Sequence, residues 1–150
     1  MGISDRGQAL VLRPKVQVFG SELWARRRGQ ALLEEPVAAT RLAETFHCNR
    51  DACMPLPGAP MKVAAWWRKR PAEPDELSAL CAPAEVVVLR TGEGHCPGKL
   101  VLDGPMLARG GAAELYREPQ GWRVVWAQDL RGRRPWSASE GDDVASDGGG

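Results

Sequence analysis

The amino-terminal third of the chain divides into short β-prone runs separated by turn-forming residues. Residues 8–12 are β-prone, and residues 15–19 alternate polar and apolar with the period of two that is typical of a half-buried strand. Residues 4–7 are predicted to form a turn. Residues 29–43 are rich in Ala, Leu and Glu, but Pro36 would interrupt any helix there.

The pattern is sharper from residue 44 onward. Turn formers at residues 49–52 lie between β-prone runs at 45–48 and 54–56 and predict a hairpin. A short helix is predicted over residues 73–81, because a proline and two carboxylates fall in its first turn. The unbroken apolar run at 85–90 is typical of a strand buried on both faces. The remaining predicted elements are strands at 61–67 and 99–103, a short turn or helix at 105–109, and a hairpin of residues 112–117 and 122–128 that turns at 118–121.

These elements predict an α/β fold. The order strand–helix–strand over residues 61–90 requires a right-handed crossover and at least one parallel pair of strands. We therefore expect a mixed sheet with β-hairpins and one or two short helices. Residues 1–136 are predicted to form a single domain, and the small, polar and acidic residues 137–150 are predicted to be a disordered tail.

Composition and charge exclude several classes of function. The 150 residues carry 20 Lys and Arg against 19 Asp and Glu, a net charge of +1, which argues against a DNA-coating protein or a strongly basic membrane-surface binder. No apolar run approaches the roughly 20 residues of a membrane span, so none is expected in this chain. The first residues lack the apolar core of a signal peptide. Composition alone therefore predicts a soluble globular domain and does not identify its function.

The cysteines leave three hypotheses open. Two histidines, His47 and His95, each directly precede a cysteine, which superficially resembles a metal-ligand pair, but the ligand spacing is not that of a zinc knuckle. Two disulfides are the second hypothesis, and the simplest pairing is Cys48–Cys53 with Cys81–Cys96. Four unlinked thiols are the third, and are favoured if the chain stays in the cytoplasm.

Nucleophilic catalysis is poorly supported by the sequence. No Gly-x-Ser-x-Gly motif occurs, and His47 and Cys48, as neighbours in a strand, would point to opposite faces. The glycines at 92, 94, 110 and 111 do not open a helix in a phosphate-binding context. We therefore expect no enzymatic activity and no cofactor.

Three basic clusters, at residues 26–28, 68–70 and 131–134, lie beside tryptophans. Interleaved basic and aromatic residues are typical of single-strand nucleic-acid grooves, but solvated loops with a tryptophan packed beneath them have the same pattern. The candidate nucleic-acid contacts are Arg68, Lys69, Arg70, Arg131, Arg133 and Arg134.

One segment resembles a known family. Thr45-Phe46-His47-Cys48-Asn49-Arg50-Asp51-Ala52-Cys53 resembles the Phe-x-Cys-Asp-x-x-Gly-Cys motif near the end of ComEC family competence proteins. The family's later motifs are a helix ending in Cys, an Ala-Asp-Val-Val-Val strand, a Cys-x-Gly-Pro loop, a Val-Ile-Asp strand, a Gly-Ala strand start and a closing Arg-Pro-Trp. Similar segments follow here in the same order, at residues 80–81, 84–88, 96–98, 101–103, 110–112 and 132–136.

The resemblance implies a non-catalytic role. ComEC family proteins have a polytopic channel that moves single-stranded DNA across the inner membrane, followed by a metallo-β-lactamase-like domain. Residues 1–136 resemble the second half of that domain. The family's His-x-His-x-Asp-His run would lie upstream of Met1, and its His-His-Gly segment is replaced by residues 90–93, Arg-Thr-Gly-Glu. We therefore expect no metal-bound nucleophile and a structural or DNA-contacting role in DNA uptake.

The resemblance also implies partners and a location. The expected partners are the membrane channel portion of the parent protein or a separate subunit, and single-stranded DNA. The expected location is the extracytoplasmic face of the bacterial inner membrane, which favours disulfides, although this chain alone carries no signal and would remain cytoplasmic. Half of a sandwich would leave one sheet face exposed. The alternative function is a small stand-alone binding module stabilised by disulfides or zinc.

Overall fold

A computed structural model describes residues 2–5, 8–11, 26–27, 29, 31–32 and 37–131. The strands are β1 (Gly2–Asp5), β2 (Gln8–Val11), β3 (Ala31–Leu32), β4 (Phe46–Cys48), β5 (Ala52–Pro55), β6 (Val63–Trp66), β7 (Val86–Leu89), β8 (Leu100–Leu102), β9 (Ala113–Glu118) and β10 (Gly121–Trp126). The helices are α1 (Val37–Thr45), α2 (Pro74–Cys81), α3 (Gly104–Gly110) and α4 (Ala127–Arg131). The predicted strand at 15–19 and the predicted tail at 137–150 lie outside the described residues.

The centre of the fold is a mixed five-stranded sheet in the order β4-β5-β6-β7-β8. Strand β5 runs antiparallel to its neighbours β4 and β6, whereas β6, β7 and β8 run parallel. Helix α2 connects β6 to β7, so the parallel pair predicted from the strand–helix–strand order is confirmed. The α/β class with a mixed sheet, hairpins and short helices is confirmed with it, but the described residues form four helices where one or two were predicted.

The core lies mainly between this sheet and α2. Trp66 of β6 and Leu89 of β7 belong to one buried cluster with Leu80 of α2. Val86 and Val87 are both fully buried, as the apolar run at 85–90 predicts. All four residues of β6 are buried, so the exposed sheet face expected of half a sandwich is absent at β6. That expectation is wrong there, because side chains on both sides of the strand are covered.

A second, smaller sheet is formed near the amino terminus. Strand β1 pairs antiparallel with β2, and β3 pairs parallel with β2. The predicted turn over residues 4–7 is therefore wrong at its start. Ser4 and Asp5 belong to β1, where Ser4 pairs with Ala9 and Asp5 with Gln8. Hydrogen-bonded strand pairing outweighs the turn preference of these two residues.

The carboxy-terminal hairpin and helix lie beside the central sheet. Strands β9 and β10 pair antiparallel with Glu118 opposite Gly121, which confirms the predicted turn. The second strand ends at Trp126 and residues 127–131 form α4, so the prediction of a strand through residue 128 is wrong. Most of these residues favour helix, and the backbone N–H of Ala127 donates to the carbonyl of Ala112 at the end of the hairpin.

Helix α1 begins directly after Pro36, where the sequence predicted an interruption of any helix in residues 29–43. At its end the hydroxyl of Thr45 donates to the carbonyl of Arg41 (2.6 Å). None of the helices in the described part of the chain has the length and apolar character needed to cross a bilayer.

Candidate nucleic-acid interface at the carboxyl edge of the sheet

One edge of the central sheet collects the ends of several strands. Because β6, β7 and β8 are parallel, their carboxyl ends meet at the same edge. The turn between β4 and β5 lies there as well, since Ala52 at the start of β5 pairs with Trp66 at the end of β6. In α/β sheets this edge is where ligands commonly bind. The predicted basic residues 68–70 follow β6 directly and therefore lie at this edge.

The β4–β5 turn is held rigidly by local contacts. The side-chain oxygen of Asn49 accepts from the backbone N–H groups of Asp51 and Ala52, both at 2.8 Å. The backbone N–H of Asn49 donates to the carbonyl of Ala52 (2.9 Å). At the base of the turn Cys48 pairs with Cys53, and their Cα atoms are 4.0 Å apart. These contacts fix the backbone that carries Arg50 and Asp51.

Asp51 gathers two arginines onto one carboxylate oxygen. Its Oδ1 lies 3.3 Å from Nε of Arg68 and 3.6 Å from Nε of Arg50. The side chain of Arg50 is 86% exposed, whereas those of Arg68 and Asp51 are 37% and 32% exposed. One negative charge therefore faces two guanidinium groups that are open to solvent.

A third arginine joins this group through the backbone of Trp67. The N–H of Trp67 donates to the carbonyl of Asp51 (2.7 Å), and Nη1 of Arg90 donates to the carbonyl of Trp67 (3.2 Å). Arg90 is exposed and follows β7 directly. We call Arg50, Arg68 and Arg90 the arginine cluster. Its three positive charges are drawn from the β4–β5 turn and the ends of β6 and β7.

Arg70, a predicted nucleic-acid contact, is engaged within the chain instead. Its two terminal nitrogens donate to the two carboxylate oxygens of Glu76 at 2.8 and 2.7 Å. Its guanidinium carbon also lies 5.1 Å from the centroid of the Trp66 ring. The indole N–H of Trp66 donates to the carbonyl of Arg70 (2.9 Å). Arg70 therefore fastens the loop after β6 to the core and to α2.

Glu76 connects this loop to the start of α2. In addition to Arg70, its carboxylate accepts from the backbone N–H of Glu73 (2.8 Å), which completes a capping box at the helix start. These hydrogen bonds, the one from Arg70 foremost, lower the pKa of Glu76 from its usual 4.5 to about 2. The ionised carboxylate is thus the form that the fold favours.

Replacing Glu76 with Gln is expected to produce a pH-dependent loss of stability. Since the pKa of Glu76 is depressed in the folded state, its contribution is present above pH 4.5 and disappears as the pH falls toward 2. Thermal unfolding is followed by circular dichroism across this pH range. The Tm of the wild type should exceed that of Glu76→Gln above pH 4.5, and the difference should disappear as the pH falls toward 2. Asp75→Asn, which removes the neighbouring carboxylate, is the control. A difference that does not change with pH would contradict the prediction.

The other predicted contacts divide into three groups. Lys69 is exposed beside the arginine cluster. Arg131 is the last residue of α4, and its side chain lies outside what the structure describes. Arg133 and Arg134 lie outside the described residues. Sequence reasoning missed Arg50 and Arg90, although a basic residue in a predicted turn and another directly after a predicted buried strand were available as signals.

The cysteines form the two pairs predicted as the simplest disulfide pairing, Cys48–Cys53 and Cys81–Cys96. The sulfur atoms of Cys48 and Cys53 lie within bonding distance, as do those of Cys81 and Cys96, whose Cα atoms are 5.7 Å apart. Among the described residues, no three His, Cys, Asp or Glu side chains converge as a metal site requires. The described part of the chain therefore contains no set of side chains that could hold the zinc ion of the first hypothesis.

A groove of about 430 Å³ lies at the opposite edge of the sheet, where β7 and β8 begin. Its polar side chains contact one another or the backbone. The indole N–H of Trp122 donates to Glu85 at 3.3 Å, and Lys99 Nζ donates to the carbonyls of Cys81 and Ala82 at the end of α2. The polar residues of the groove therefore connect the hairpin to the sheet and the start of β8 to the end of α2.

The motifs that resemble the ComEC family fall on the β4–β5 hairpin, the end of α2, β7, the loop before β8, β8 itself, and the end of α3 with the two residues after it. The closing motif at 132–136 lies outside the described residues. No protein-family model matched the chain, and searches of curated proteins and of solved structures likewise found no match.

Proposed function

We propose that this chain is a non-catalytic, DNA-contacting segment of a competence-type DNA uptake protein, related to the second half of a metallo-β-lactamase-like domain. Its role is to help move single-stranded DNA across the bacterial inner membrane. The observation that carries the proposal is the arginine cluster at the carboxyl edge of the sheet. The ComEC resemblance supplies the biological setting.

The arginine cluster suits a phosphate backbone. Guanidinium groups bind phosphate oxygens through paired N–H donors and remain charged at all relevant pH values. The cluster has three guanidinium groups and one carboxylate, Asp51, which pairs with two of them, so the surface stays positive although the whole chain is nearly neutral. Such a surface attracts polyanions at low ionic strength and releases them as salt increases.

A non-catalytic role is supported by the placement of the reactive side chains. His47 and His95 are both exposed and belong to separate elements, β4 and the loop before β8. All four cysteines are in pairs within bonding distance, which leaves no thiolate to act as a nucleophile. At the end of β7, where the family has His-His-Gly, this chain has Arg-Thr-Gly-Glu at residues 90–93, and Arg90 adds a positive charge to the cluster.

The proposed setting is the extracytoplasmic face of the inner membrane. The proposed partner there is the membrane channel portion of the parent protein, or a separate channel subunit. An oxidising compartment agrees with two disulfides. Single-stranded DNA that emerges from or enters the channel would contact the arginine cluster.

Binding of fluorescently labelled oligodeoxythymidylate, measured by fluorescence anisotropy, tests the proposal. Three phosphate contacts to a single strand predict that affinity falls about 20-fold between about 50 and 200 mM monovalent salt. Saturable binding with this salt dependence supports the proposal. The absence of saturable binding at the lower salt concentration would refute it.

The two cysteine pairs favour a second candidate, a small stand-alone binding module stabilised by disulfides. The DNA upstream of the Met1 codon distinguishes the two candidates. A reading frame there that encodes several spans of about 20 apolar residues supports the channel protein. Unrelated sequence there supports the stand-alone module.

A further inference from the structure

We infer that Arg50, Arg68 and Arg90 bind adjacent backbone phosphates of single-stranded DNA, with Asp51 as the residue that positions Arg50 and Arg68. The inference rests on the proposed function and deepens it by naming the site. Only Arg68 of these three was a candidate from the sequence, and Arg70 is excluded because its guanidinium is engaged by Glu76.

The three side chains belong to the same edge of the sheet because the strand pairing brings their segments there. The backbone of Trp67 links two of these segments, since its N–H donates to the carbonyl of Asp51 and its carbonyl accepts from Arg90. The side chain of Asp51 then draws in Arg50 and Arg68. These contacts hold the three arginines in place before a ligand binds. Such preorganisation lowers the entropic cost of binding.

The arginines keep donors available for a ligand. A guanidinium carries five N–H donors, and the contact that Arg50 or Arg68 makes with Asp51 is through Nε. Arg90 uses one terminal nitrogen on the Trp67 carbonyl. The remaining donors match the two unesterified oxygens of a phosphodiester, which Arg can bind in a bidentate manner. Asp51 neutralises one of the three charges, which leaves an excess of positive charge that backbone phosphates would balance.

The ligand is recognised through its backbone rather than its bases. Trp66 is only 4% exposed, so its ring cannot stack on a base. Among the described residues, the large exposed hydrophobic side chains are Val37, Tyr116 and Leu130, and none of these belongs to the elements that form the cluster. Base stacking is the usual source of base preference in single-strand binding. The site should therefore bind oligodeoxythymidylate and oligodeoxycytidylate with equal affinity.

Charge-removing variants test the site. Arg50→Gln and Arg90→Gln are each expected to weaken oligonucleotide binding about 5–10-fold and to reduce the salt dependence by about one phosphate contact. Arg117→Gln is the matched control. It removes the same charge from the hairpin, where Arg117 contacts Glu85 at the opposite edge of the sheet, and is expected to change affinity less than about 2-fold. Unfolding midpoints of the variants establish that all of them are folded.

The outcomes separate this inference from the proposed function. If the wild type binds and both cluster variants bind equally well, the site is refuted while the proposed function survives. If the wild type does not bind, both are refuted. Inorganic phosphate at constant ionic strength distinguishes the source of the ligand. Displacement of the oligonucleotide by millimolar phosphate would overturn the assignment to nucleic acid, whereas resistance to it supports a site on an extended phosphate backbone.

Discussion

Replacing Trp66 with Ala is expected to lower the free energy of unfolding by about 3–5 kcal/mol. Trp66 is 4% exposed and lies in the largest buried cluster, with Leu80 and Leu89 around it. Its removal leaves a cavity under the sheet and deletes the hydrogen bond to the carbonyl of Arg70. It also removes the ring over which the Arg70 guanidinium lies. Urea denaturation followed by circular dichroism measures the loss.

Trp66→Phe separates packing from hydrogen bonding. The smaller ring keeps most of the apolar contact but cannot donate to Arg70, so a loss of about 1–2 kcal/mol is expected. This variant also provides a measurement if Trp66→Ala does not fold. A loss below about 1 kcal/mol for Trp66→Ala would show that the core around α2 does not depend on this residue.

Removing the Cys81–Cys96 pair with a double Ala substitution is expected to cost about 3 kcal/mol. The two residues are 15 positions apart, and Cys96 is fully buried. The cross-link limits the unfolded chain, and loss of it frees the loop before β8 from the end of α2. Lys99 still ties these two segments, since its ammonium donates to the carbonyl of Cys81. The variant should therefore fold, with reduced stability.

The Cys48–Cys53 pair is the matched comparison. It closes a loop with a separation of only 5 residues, so its removal should cost less, about 2 kcal/mol. Intact mass with and without reductant comes first, because two disulfides require the loss of four protons relative to the reduced chain. A mass without that loss, or equal stability of both double variants and the wild type, would contradict the prediction.

Local signals in the sequence predict the central part of the fold well. Strand β7 follows from an unbroken apolar run, and α2 follows from a proline and carboxylates at its start. The direction of β7 relative to β6 follows from the helix between them. Strand β1 was missed because Ser4 and Asp5 favour a turn, and its pairing with β2 is a tertiary contact. Helix α4 was missed because no breaker separates it from β10.

The candidate site was less predictable, because its members are distant in sequence. Arg68 stands in a visible run of basic residues, but Arg50 and Arg90 join it only through the strand order that places the β4–β5 turn and the end of β7 beside it. Arg70 shows the opposite case. It lies in the same basic run, yet Glu76, six residues later, occupies its guanidinium. Proximity in sequence does not show which charges remain open to a ligand.

The strand order of the central sheet has a consequence for how the protein folds. Because β4 through β8 are neighbours in space in the same order as along the chain, each strand finds its partner among the residues synthesised just before it. Contacts of short sequence separation favour rapid folding. The longest connection between neighbouring strands of this sheet is that from β6 to β7, which contains α2, and closing it costs about 1.5 kcal/mol more in chain entropy than closing the β4–β5 turn. The sheet can therefore assemble strand by strand as the chain leaves the ribosome, beginning at the β4–β5 hairpin.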